Sequence, residues 1–276
     1  MPEAEYKQAT VEQWTADPCG EVAASGETGS DDYFESLDRA RREYAPWMDE
    51  TLDYAGAAGL DVLDVGSGQG IDLVRYARAG ARVTGVDLTP RHVELARAHL
   101  AAAGLPGAVV LGDAERLPFE DSKYDLVSSN GVLHHTPDIE AALREIRRVL
   151  RPGGRARIIL YNRSSLHYWI AQVLYWGVLK GRLRAEGSME GVLSHVEHST
   201  IGARPLVRVY SPRQARRLLR EAGFSAVTTS VRHFKAQDTG PTLFLEPLLP
   251  PLRNPAVLDR IGRLAGWYVI ASGRAA

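Results

Sequence analysis

A short glycine-rich loop is the feature of this sequence that points most directly to chemistry. It reads Gly66-Ser67-Gly68-Gln69-Gly70 and directly follows the apolar run 62–65. Glycines permit a tight turn from a strand into a helix and let the backbone approach a ligand closely. The helix that follows offers unpaired N–H groups at its N-terminus. The loop therefore predicts a site for a nucleotide-like ligand.

The spacing of these glycines argues against a dinucleotide site. The loop has the pattern GxGxG, and residue 71, where the dinucleotide fingerprint GxGxxG requires its last glycine, is Ile71. An NAD-dependent oxidoreductase is thus a weaker interpretation of the same loop.

Two acidic residues follow at the ends of later strands. Asp87 ends the run VTGVD, about twenty residues beyond the loop, where an acid can accept hydrogen bonds from both ribose hydroxyls. Asp113 stands in Gly112-Asp113-Ala114, after a third apolar run, and places a carboxylate and a backbone N–H beside an adenine edge. The carboxyl ends of parallel strands meet in one crevice, so we expect the loop and both acids to face one ligand.

The elements that must position these residues alternate between short apolar runs and longer amphipathic segments, which is typical of successive βα units. We predict an α/β fold: a Rossmann-like, seven-stranded, mostly parallel sheet with helices on both faces, an N-terminal helical lid and a C-terminal insertion or cap. The predicted strands are 61–65, 82–86, 108–111, 124–128, 155–161, 226–234 and 266–272. The predicted helices are 71–79, 90–103, 138–150, 166–180 and 211–223, with a basic, glycine-rich loop at 181–205.

The chain divides on this pattern into four regions. Residues 1–55 are the predicted helical lid and 56–162 the ligand-binding core. Residues 163–210 are a substrate-region helix and loop. Residues 211–276 complete the core sheet and carry an accessory insertion.

Composition narrows the class of protein. The chain has 276 residues with 45% hydrophobic and 24% charged residues, which suits a globular α/β enzyme. A net charge of −1 gives no field that would favour nucleic acid as a partner. The sequence has one cysteine, Cys19, and its N-terminus does not resemble an export signal. The apolar runs are too short to span a bilayer. These features indicate a cytoplasmic protein.

Four stretches of the chain resemble class I S-adenosylmethionine (SAM) dependent methyltransferases. They are VLDVGSGQG, VTGVDLTP, GDAERLPFEDSKYDLVSSNGVLHHTPD and LRPGGRARI, in the family's order and spacing over residues 60–162. The detail is most similar to the branch that methylates small molecules. The resemblance implies a SAM cofactor held by residues of the loop and the strand ends: Asp64, Gly66, Ser67, Gly68, Gly70, Asp87, Leu88, Asp113, Ala114 and Asn130. No metal is expected.

Aromatic, polar and histidine side chains near the predicted crevice are candidates for the acceptor side. His134 and His135 follow the fourth strand, where a histidine can act as a general base or simply shape the pocket. In the predicted lid, Trp14, Tyr33, Phe34 and Tyr44 either cover the sulfonium or pack the helices, and Arg39, Arg41 or Arg42 would pair with the SAM carboxylate. Further candidates for substrate contact follow the fifth strand or lie in the later loop: Tyr161, Asn162, Arg163, His195 and His198.

We therefore expect a methyltransferase that moves the SAM methyl group to an O, N, S or C atom of a small molecule and releases S-adenosylhomocysteine. One alternative keeps SAM but uses it for intramolecular cyclisation or aminocarboxypropyl transfer, the latter giving methylthioadenosine. Another is a SAM-binding protein without turnover. The aromatic run 166–170 allows contact with a membrane surface, although packing on its own domain is the favoured interpretation. The oligomeric state is left open.

Overall fold

The computed structural model describes residues 3–197, 199–235, 238 and 254–276. Its seven strands are β1 (Asp61–Val65), β2 (Arg82–Asp87), β3 (Ala108–Leu111), β4 (Tyr124–Asn130), β5 (Leu150–Tyr161), β6 (Phe224–Arg232) and β7 (Tyr268–Ala275). They form one sheet in the order β3-β2-β1-β4-β5-β7-β6. The strands β1 to β5 pair in parallel, and β7 is antiparallel to both of its neighbours. The predicted seven-stranded, mostly parallel sheet is confirmed.

Helices cover both faces of this sheet and extend beyond it. Besides three 3₁₀ helices of one turn each, those of the described residues are α1 (Glu3–Ala16), α2 (Asp31–Tyr44), α3 (Met48–Leu52), α4 (Ile71–Arg78), α5 (Pro90–Ala102), α6 (Ile139–Val149), a π-helix (Tyr168–Leu179), α7 (Arg182–Glu186), α8 (Met189–Val196), α9 (Pro212–Glu221) and α10 (Pro255–Ala265). No helix within the described part of the chain has the length and apolar content needed to cross a membrane.

The apolar strands are continuous because both faces of the sheet are buried. In β1, Val62 packs into a cluster with Leu73 of α4, whereas the next residue, Leu63, packs into a second cluster with Ile146 of α6. Successive side chains of a strand point to opposite faces, so one short run supplies both cores. The sheet is thereby fixed between two helical layers.

The strand order sets the position of the crevice. From β1 the chain goes outward to β2 and β3, and then returns to place β4 on the other side of β1. In open α/β sheets, ligands bind at such a reversal, outside the carboxyl ends of the strands. The loops after β1 and β4 therefore flank the expected binding crevice.

Helix α4 is tied to the N-terminal helices by a buried arginine that pairs with two carboxylates. Arg75 Nε of α4 lies 2.7 Å from Asp38 Oδ1 of α2, and its Nη1 lies 2.9 Å from Asp49 Oδ1 of α3. The Arg75 side chain is almost completely buried. Buried pairs of this kind hold elements in one arrangement, and removal of one partner is costly. The N-terminal helices are thus anchored beside the glycine loop.

The loop predicted for residues 181–205 is wrong over residues 182–196, where α7 and α8 form. Gly181 and Gly187 lie at positive φ just before and just after α7, so these glycines bound a helix rather than extend a loop. Ser188 then caps α8, its hydroxyl accepting a hydrogen bond from Gly191 N at 3.0 Å. The apolar residues Val192 and Leu193 bury the inner face of α8.

Other elements agree with the prediction except at their ends. The predicted helix 166–180 is present as the π-helix, and β6 and β7 are offset by two residues or more from the predicted strands. Strand β5 begins at Leu150 instead of 155, because Leu150 already pairs with Tyr124 of β4 before a register shift. Most of the proline-rich stretch predicted as an accessory insertion lies outside the described residues.

Candidate functional site

A cavity of about 700 Å³ lies at the carboxyl ends of the parallel strands. Its walls come from the loops after β1, β2, β3 and β4, the last residue of β5, the first residue of β7, and the N-terminal helices α1 and α2. Pockets for drug-sized ligands measure about 300–1,000 Å³. The cavity is therefore large enough to hold a small ligand within the reach of many side chains.

The glycine loop forms one wall, and its glycines have different roles. Gly66, Gly68 and Gly70 all lie at positive φ. A Cβ at Gly66 would lie 2.3 Å from Val132 Cγ2, so packing there requires glycine. A Cβ at Gly70 would lie 3.1 Å from Ala96 Cα, which is a tight contact. A Cβ at Gly68 would meet no protein atom within 4 Å. Gly66 and Gly68 line the cavity, whereas Gly70 does not.

Asp87 joins the end of β2 to the glycine loop. Its Oδ2 accepts a hydrogen bond from Gly68 N at 2.9 Å, and its Oδ1 accepts one from Thr89 N at 2.9 Å. His92 Nδ1 lies 3.3 Å from the same Oδ1. Although burial favours the neutral acid, these donors hold the pKa of Asp87 below its ordinary value. Asp87 is therefore an ionised carboxylate facing the cavity beside the loop.

At the end of β3, Asp113 is paired with the N-terminal helix. Lys7 Nζ of α1 lies 2.8 Å from Asp113 Oδ2 and also contacts the Glu115 carboxylate. Asp113 Oδ1 accepts a hydrogen bond from Glu115 N at 2.9 Å. Ala114 lines the cavity next to this pair. The carboxylate of Asp113 borders one end of the cavity, and helix α1 lies across that end.

Below the loop, three carboxylates lie close to one another. Burial, followed by the charges of Asp72 and Asp87, raises the pKa of Asp64 well above its usual value. Asp72 is the better satisfied, since it accepts hydrogen bonds from Tyr54 Oη at 2.7 Å and from Asn130 Nδ2 at 2.8 Å. Arg41 Nη1 of α2 lies 3.9 Å from Asp72. This part of the site favours a positively charged ligand group.

The walls fall into two ends that we name by their strands. The β1–β3 end comprises the glycine loop, Asp87, Leu88, Asp113 and Ala114. The β5–β7 end comprises Tyr44, Tyr161, Tyr268 and Glu197, all of which line the cavity. Strands β5 and β7 stand on the opposite side of β1 from β2 and β3, so the two ends lie apart along the sheet edge.

The paired histidines after β4 have unequal positions. His135 lines the cavity, and its Nδ1 lies 2.7 Å from Leu206 O. His134 is fully buried, does not line the cavity, and neither of its ring nitrogens has a hydrogen-bond partner among the described residues. Burial lowers the pKa of both, in His135 to about 4. Both rings are therefore neutral near pH 7.

Of the expected lid and substrate residues, Trp14, Tyr44, Tyr161 and Arg41 line the cavity. The others lie elsewhere for physical reasons. Tyr33 and Phe34 pack in a small core with Leu37, and Tyr33 Oη donates to Gln69 Oε1 at 2.7 Å. Asn162 is buried and donates to Gly266 O at 2.8 Å, which ties β5 to the start of β7.

Three more of the expected lid and substrate residues do not line the cavity, and a fourth lies outside the described residues. Arg163 is exposed just beyond β5, and Arg42 pairs with Asp38 at 3.0 Å instead of facing the cavity. His195 of α8 lies 3.5 Å from Glu186 Oε1. His198 lies outside the described residues.

Several cavity residues were missed from the sequence. Lys7, Cys19, Asp72, Glu197 and Tyr268 line the cavity. Asp72 had a usable signal, because it stands in the first turn of the helix that follows the glycine loop. Tyr268 lay in a predicted strand, but only the antiparallel direction of β7 brings its first residue to the crevice. The other three reach the cavity through tertiary packing.

Comparison with known proteins places this geometry in a family. Residues 63–158 match the family described as "Methyltransferase domain". A ubiquinone biosynthesis O-methyltransferase of Xanthomonas oryzae pv. oryzae is 36% identical over 127 residues, which is 44% of this chain and 53% of that protein. A 37.1 kDa protein in transposon TN4556 of Streptomyces fradiae is 42% identical over 120 residues, 42% of this chain and 34% of that protein. The chain thus spans about half the length of the first relative and a third of the second.

A solved structure supports the same conclusion for the fold. A SAM-dependent methyltransferase from Aquifex aeolicus superimposes with a TM-score of 0.55 at 15% identity, over 90% of this chain and 99% of that one. Together with the family match, the sheet order and the placement of the glycine loop, this identifies residues 63–158 as a class I SAM-dependent methyltransferase domain. The resemblance noted from the sequence is confirmed for that stretch.

Proposed function

We propose that the protein transfers the methyl group of SAM to a small-molecule acceptor. The observation that carries this proposal is the convergence, on one cavity, of side chains and backbone from four strand ends of a methyltransferase domain. The lining residues that would hold SAM are Gly66, Ser67, Gly68, Asp87, Leu88, Asp113, Ala114 and Asn130. Asp64 and Gly70 act from behind this wall, the first as a buried carboxyl whose ionisation a bound cation would favour, the second through helix packing.

The charge distribution fits such a ligand. SAM, when bound, supplies an electrophilic methyl group on a positively charged sulfur and also carries an ammonium group. Asp64, Asp72 and Asp87 lie close enough to raise the pKa of Asp64, and a cation placed among them would relieve that repulsion. Gly68, beside which a Cβ would find open space, lets a ligand lie directly on the backbone.

Other residues would orient the two reactants. Arg41 lines the cavity next to Asp72 and would pair with the carboxylate of the methionyl group. The faces of Trp14 and Tyr44 can stabilise a nearby cation. Catalysis would rest mainly on holding the acceptor nucleophile in line with the methyl carbon, since proximity and orientation alone supply large rate factors.

A small-molecule acceptor is supported by two observations. The Xanthomonas relative is named for O-methylation in ubiquinone biosynthesis, and the net charge of −1 gives no overall positive field that would favour nucleic acid. We further propose that residues 1–55 form the lid of the cavity, 56–162 the SAM-binding core, 163–210 the substrate region and 211–276 the completion of the sheet.

The decisive experiment uses SAM labelled with ¹³C in its methyl group. Calorimetry first measures SAM binding, and the protein is then incubated with labelled SAM and a protein-free cell extract. We expect a small molecule that gains one ¹³CH₃ group, together with S-adenosylhomocysteine, by mass spectrometry. Heat-denatured protein is the control.

The same measurement separates the alternatives. Formation of methylthioadenosine would replace methyl transfer by aminocarboxypropyl transfer. An unlabelled product isomer formed while SAM is not consumed would indicate cyclisation. Tight SAM binding without any turnover would indicate a SAM-binding protein, and absence of SAM binding would overturn the cofactor assignment.

A further inference from the structure

The β5–β7 end of the cavity has the composition of an acceptor site. Tyr161 is the last residue of β5, and its register partner Tyr268 is the first residue of β7. Tyr44 Oη of α2 lies 3.3 Å from Tyr268 Oη, and the ring centroids of Tyr161 and Tyr268 are 5.8 Å apart. Trp267 stacks behind Tyr161 at 4.5 Å and holds its ring in place. These aromatic groups form a wall that suits a flat, largely apolar molecule.

A single carboxylate faces this wall. Glu197 follows the last residue of α8, and its backbone N–H donates to Leu193 O at 3.1 Å, which fixes the residue at the helix end. Its side chain lines the cavity, yet it makes no hydrogen bond or ion pair with another residue in the described part of the chain. An unpaired carboxylate in such surroundings is costly unless a ligand satisfies it.

The remaining cavity carboxylates all have partners, which sets Glu197 apart. Asp72 and Asp87 accept the hydrogen bonds described above, and Asp113 is paired with Lys7. Asp17 accepts hydrogen bonds from Thr200, and Glu21 accepts one from Thr28 Oγ1 at 2.9 Å. Glu197 is thus the acidic group that remains available to a ligand at the β5–β7 end.

We propose that Glu197 accepts the proton of the acceptor nucleophile, so that the acceptor is a flat, apolar molecule carrying a protic O–H or N–H group. This inference rests on the proposed methyl transfer. In the step, a lone pair of the acceptor oxygen or nitrogen forms a bond to the methyl carbon. The bond from that carbon to the sulfonium sulfur breaks, and its electron pair goes to sulfur. The proton passes from the heteroatom to a Glu197 carboxylate oxygen and then to solvent.

The protonation properties of the neighbouring groups support Glu197 over other bases. Burial raises the pKa of Glu197 to about 7, which suits a base that works near neutral pH. Burial lowers the pKa of His135, the other candidate, to about 4. The titratable groups that feel the charge of Glu197 are Tyr161 and Cys19. Burial and then the charge of Glu197 raise the pKa of Tyr161. The pKa of the Cys19 thiol is also raised, although the charge of Arg41 opposes the rise, so both groups stay neutral near pH 7.

A binding experiment tests the site independently of turnover. With S-adenosylhomocysteine present, 2-naphthol and naphthalene are titrated into the protein and followed by NMR of the tryptophan indole N–H groups. A hydrogen bond to a charged group contributes about 1.5–3 kcal/mol, so we expect naphthol to bind roughly tenfold more tightly or better. The substitution Glu197→Gln is expected to remove most of this preference while leaving naphthalene binding unchanged.

Glu190→Gln is the matched control. Glu190 lies on α8, does not line the cavity, and has Arg208 Nε at 3.6 Å. This variant should keep the naphthol preference. If Glu197→Gln, with an unchanged melting temperature, also keeps it, the assignment of Glu197 is overturned.

A kinetic experiment uses the acceptor identified with labelled SAM. In the wild-type protein kcat/KM should rise as the pH passes through about 7, because only ionised Glu197 accepts a proton. Glu197→Gln should lose this rise and reduce kcat by roughly 10²–10⁴-fold, with unchanged affinity for SAM. Retention of the rise in the variant would overturn the role of Glu197. A protein that fails to bind SAM would instead overturn the proposed function, and the fragment titration separates the two failures.

Discussion

The two ends of the cavity differ in how the sequence builds them. Each residue of the β1–β3 end is the last residue of a strand or follows one within a few positions, so the strand and its turn place it. The residues of the β5–β7 end come from α2, the end of β5, the start of β7 and the residue after α8, so the folded chain must assemble them from four distant segments.

This difference explains why the two ends carry different kinds of information. A strand, a glycine turn and a helix form a unit of consecutive residues whose shape follows mainly from their own sequence. The β5–β7 end has no such unit. A chain with another sequence in α2 or α8 would present different side chains there. Function specific to this protein is therefore expected at the β5–β7 end, on a scaffold that the β1–β3 end supplies.

The largest expected effect in the β1–β3 end is on Gly68. A valine there would project into the cavity, since no protein atom lies within 4 Å of the added Cβ. We expect Gly68→Val to weaken SAM binding by at least about 100-fold, or about 2.7 kcal/mol. The positive φ of 51° adds a folding cost of about 1–2 kcal/mol. Calorimetry and thermal unfolding measure the two effects.

Gly104→Val is the matched control for Gly68→Val. Gly104 also lies at positive φ, 64°, with no atom within 4 Å of an added Cβ, but it does not line the cavity. This variant should show a similar loss of stability with unchanged SAM affinity. Equal SAM affinities in the two variants would show that the glycine loop does not contact the ligand.

Much of the β1–β3 end, and most of the sheet, could be predicted from the sequence because both depend on local patterns. The apolar runs gave the strands, and Asp87 and Asp113 stood directly after them. The helices α7 and α8 were missed because Gly181 and Gly187 suggested a loop, whereas they bound a helix. Glu197 could not be found, because its place in the cavity depends on the packing of α8, which no pattern near residue 197 reveals.

A second, smaller effect is expected from Asp64→Asn. With its pKa raised in the folded protein, Asp64 keeps a proton that the unfolded chain loses above about pH 3.9. Stability conferred by this residue therefore falls as the pH rises from there. The variant should be more stable than the wild type near pH 7 without ligand. It should bind SAM roughly tenfold more weakly, about 1.4 kcal/mol, because a bound cation favours the ionised form of Asp64 and an amide cannot supply that charge. Unfolding at several pH values and calorimetry provide the test.

Asp61→Asn is the control at the opposite end of the same strand. Asp61 lies 2.6 Å from Arg82 Nε, whose hydrogen bond lowers the pKa of Asp61. Its contribution to stability is present above the unfolded pKa and is lost as the pH falls. This variant should thus be less stable near pH 7, with unchanged SAM affinity. If both variants changed stability in the same direction, the raised pKa assigned to Asp64 would be wrong.

The smallest expected effect concerns Lys7. Through this residue the distant helix α1 contacts Asp113, a carboxylate at the end of a strand, so a contact between distant segments is added to a site built from strand ends. Partial burial alone would lower the pKa of Lys7, but hydrogen bonds to Asp113 and Glu115 raise it, so the ammonium group stays charged. Its side chain is 22% exposed, and ion pairs in such positions contribute at most about 1 kcal/mol.

We therefore expect Lys7→Met to weaken SAM affinity by no more than about fivefold, mainly through faster dissociation, because α1 is held less firmly over the β1–β3 end. Stopped-flow dissociation of SAM measures this, with Lys123→Met as the control, since Lys123 lies over Phe119 and Tyr124 and does not line the cavity. A cycle with Asp113→Asn should give a coupling energy of about 1 kcal/mol or less. A loss of 100-fold would instead make α1 part of the SAM site itself, and the β1–β3 end would then depend on distant segments as much as the β5–β7 end does.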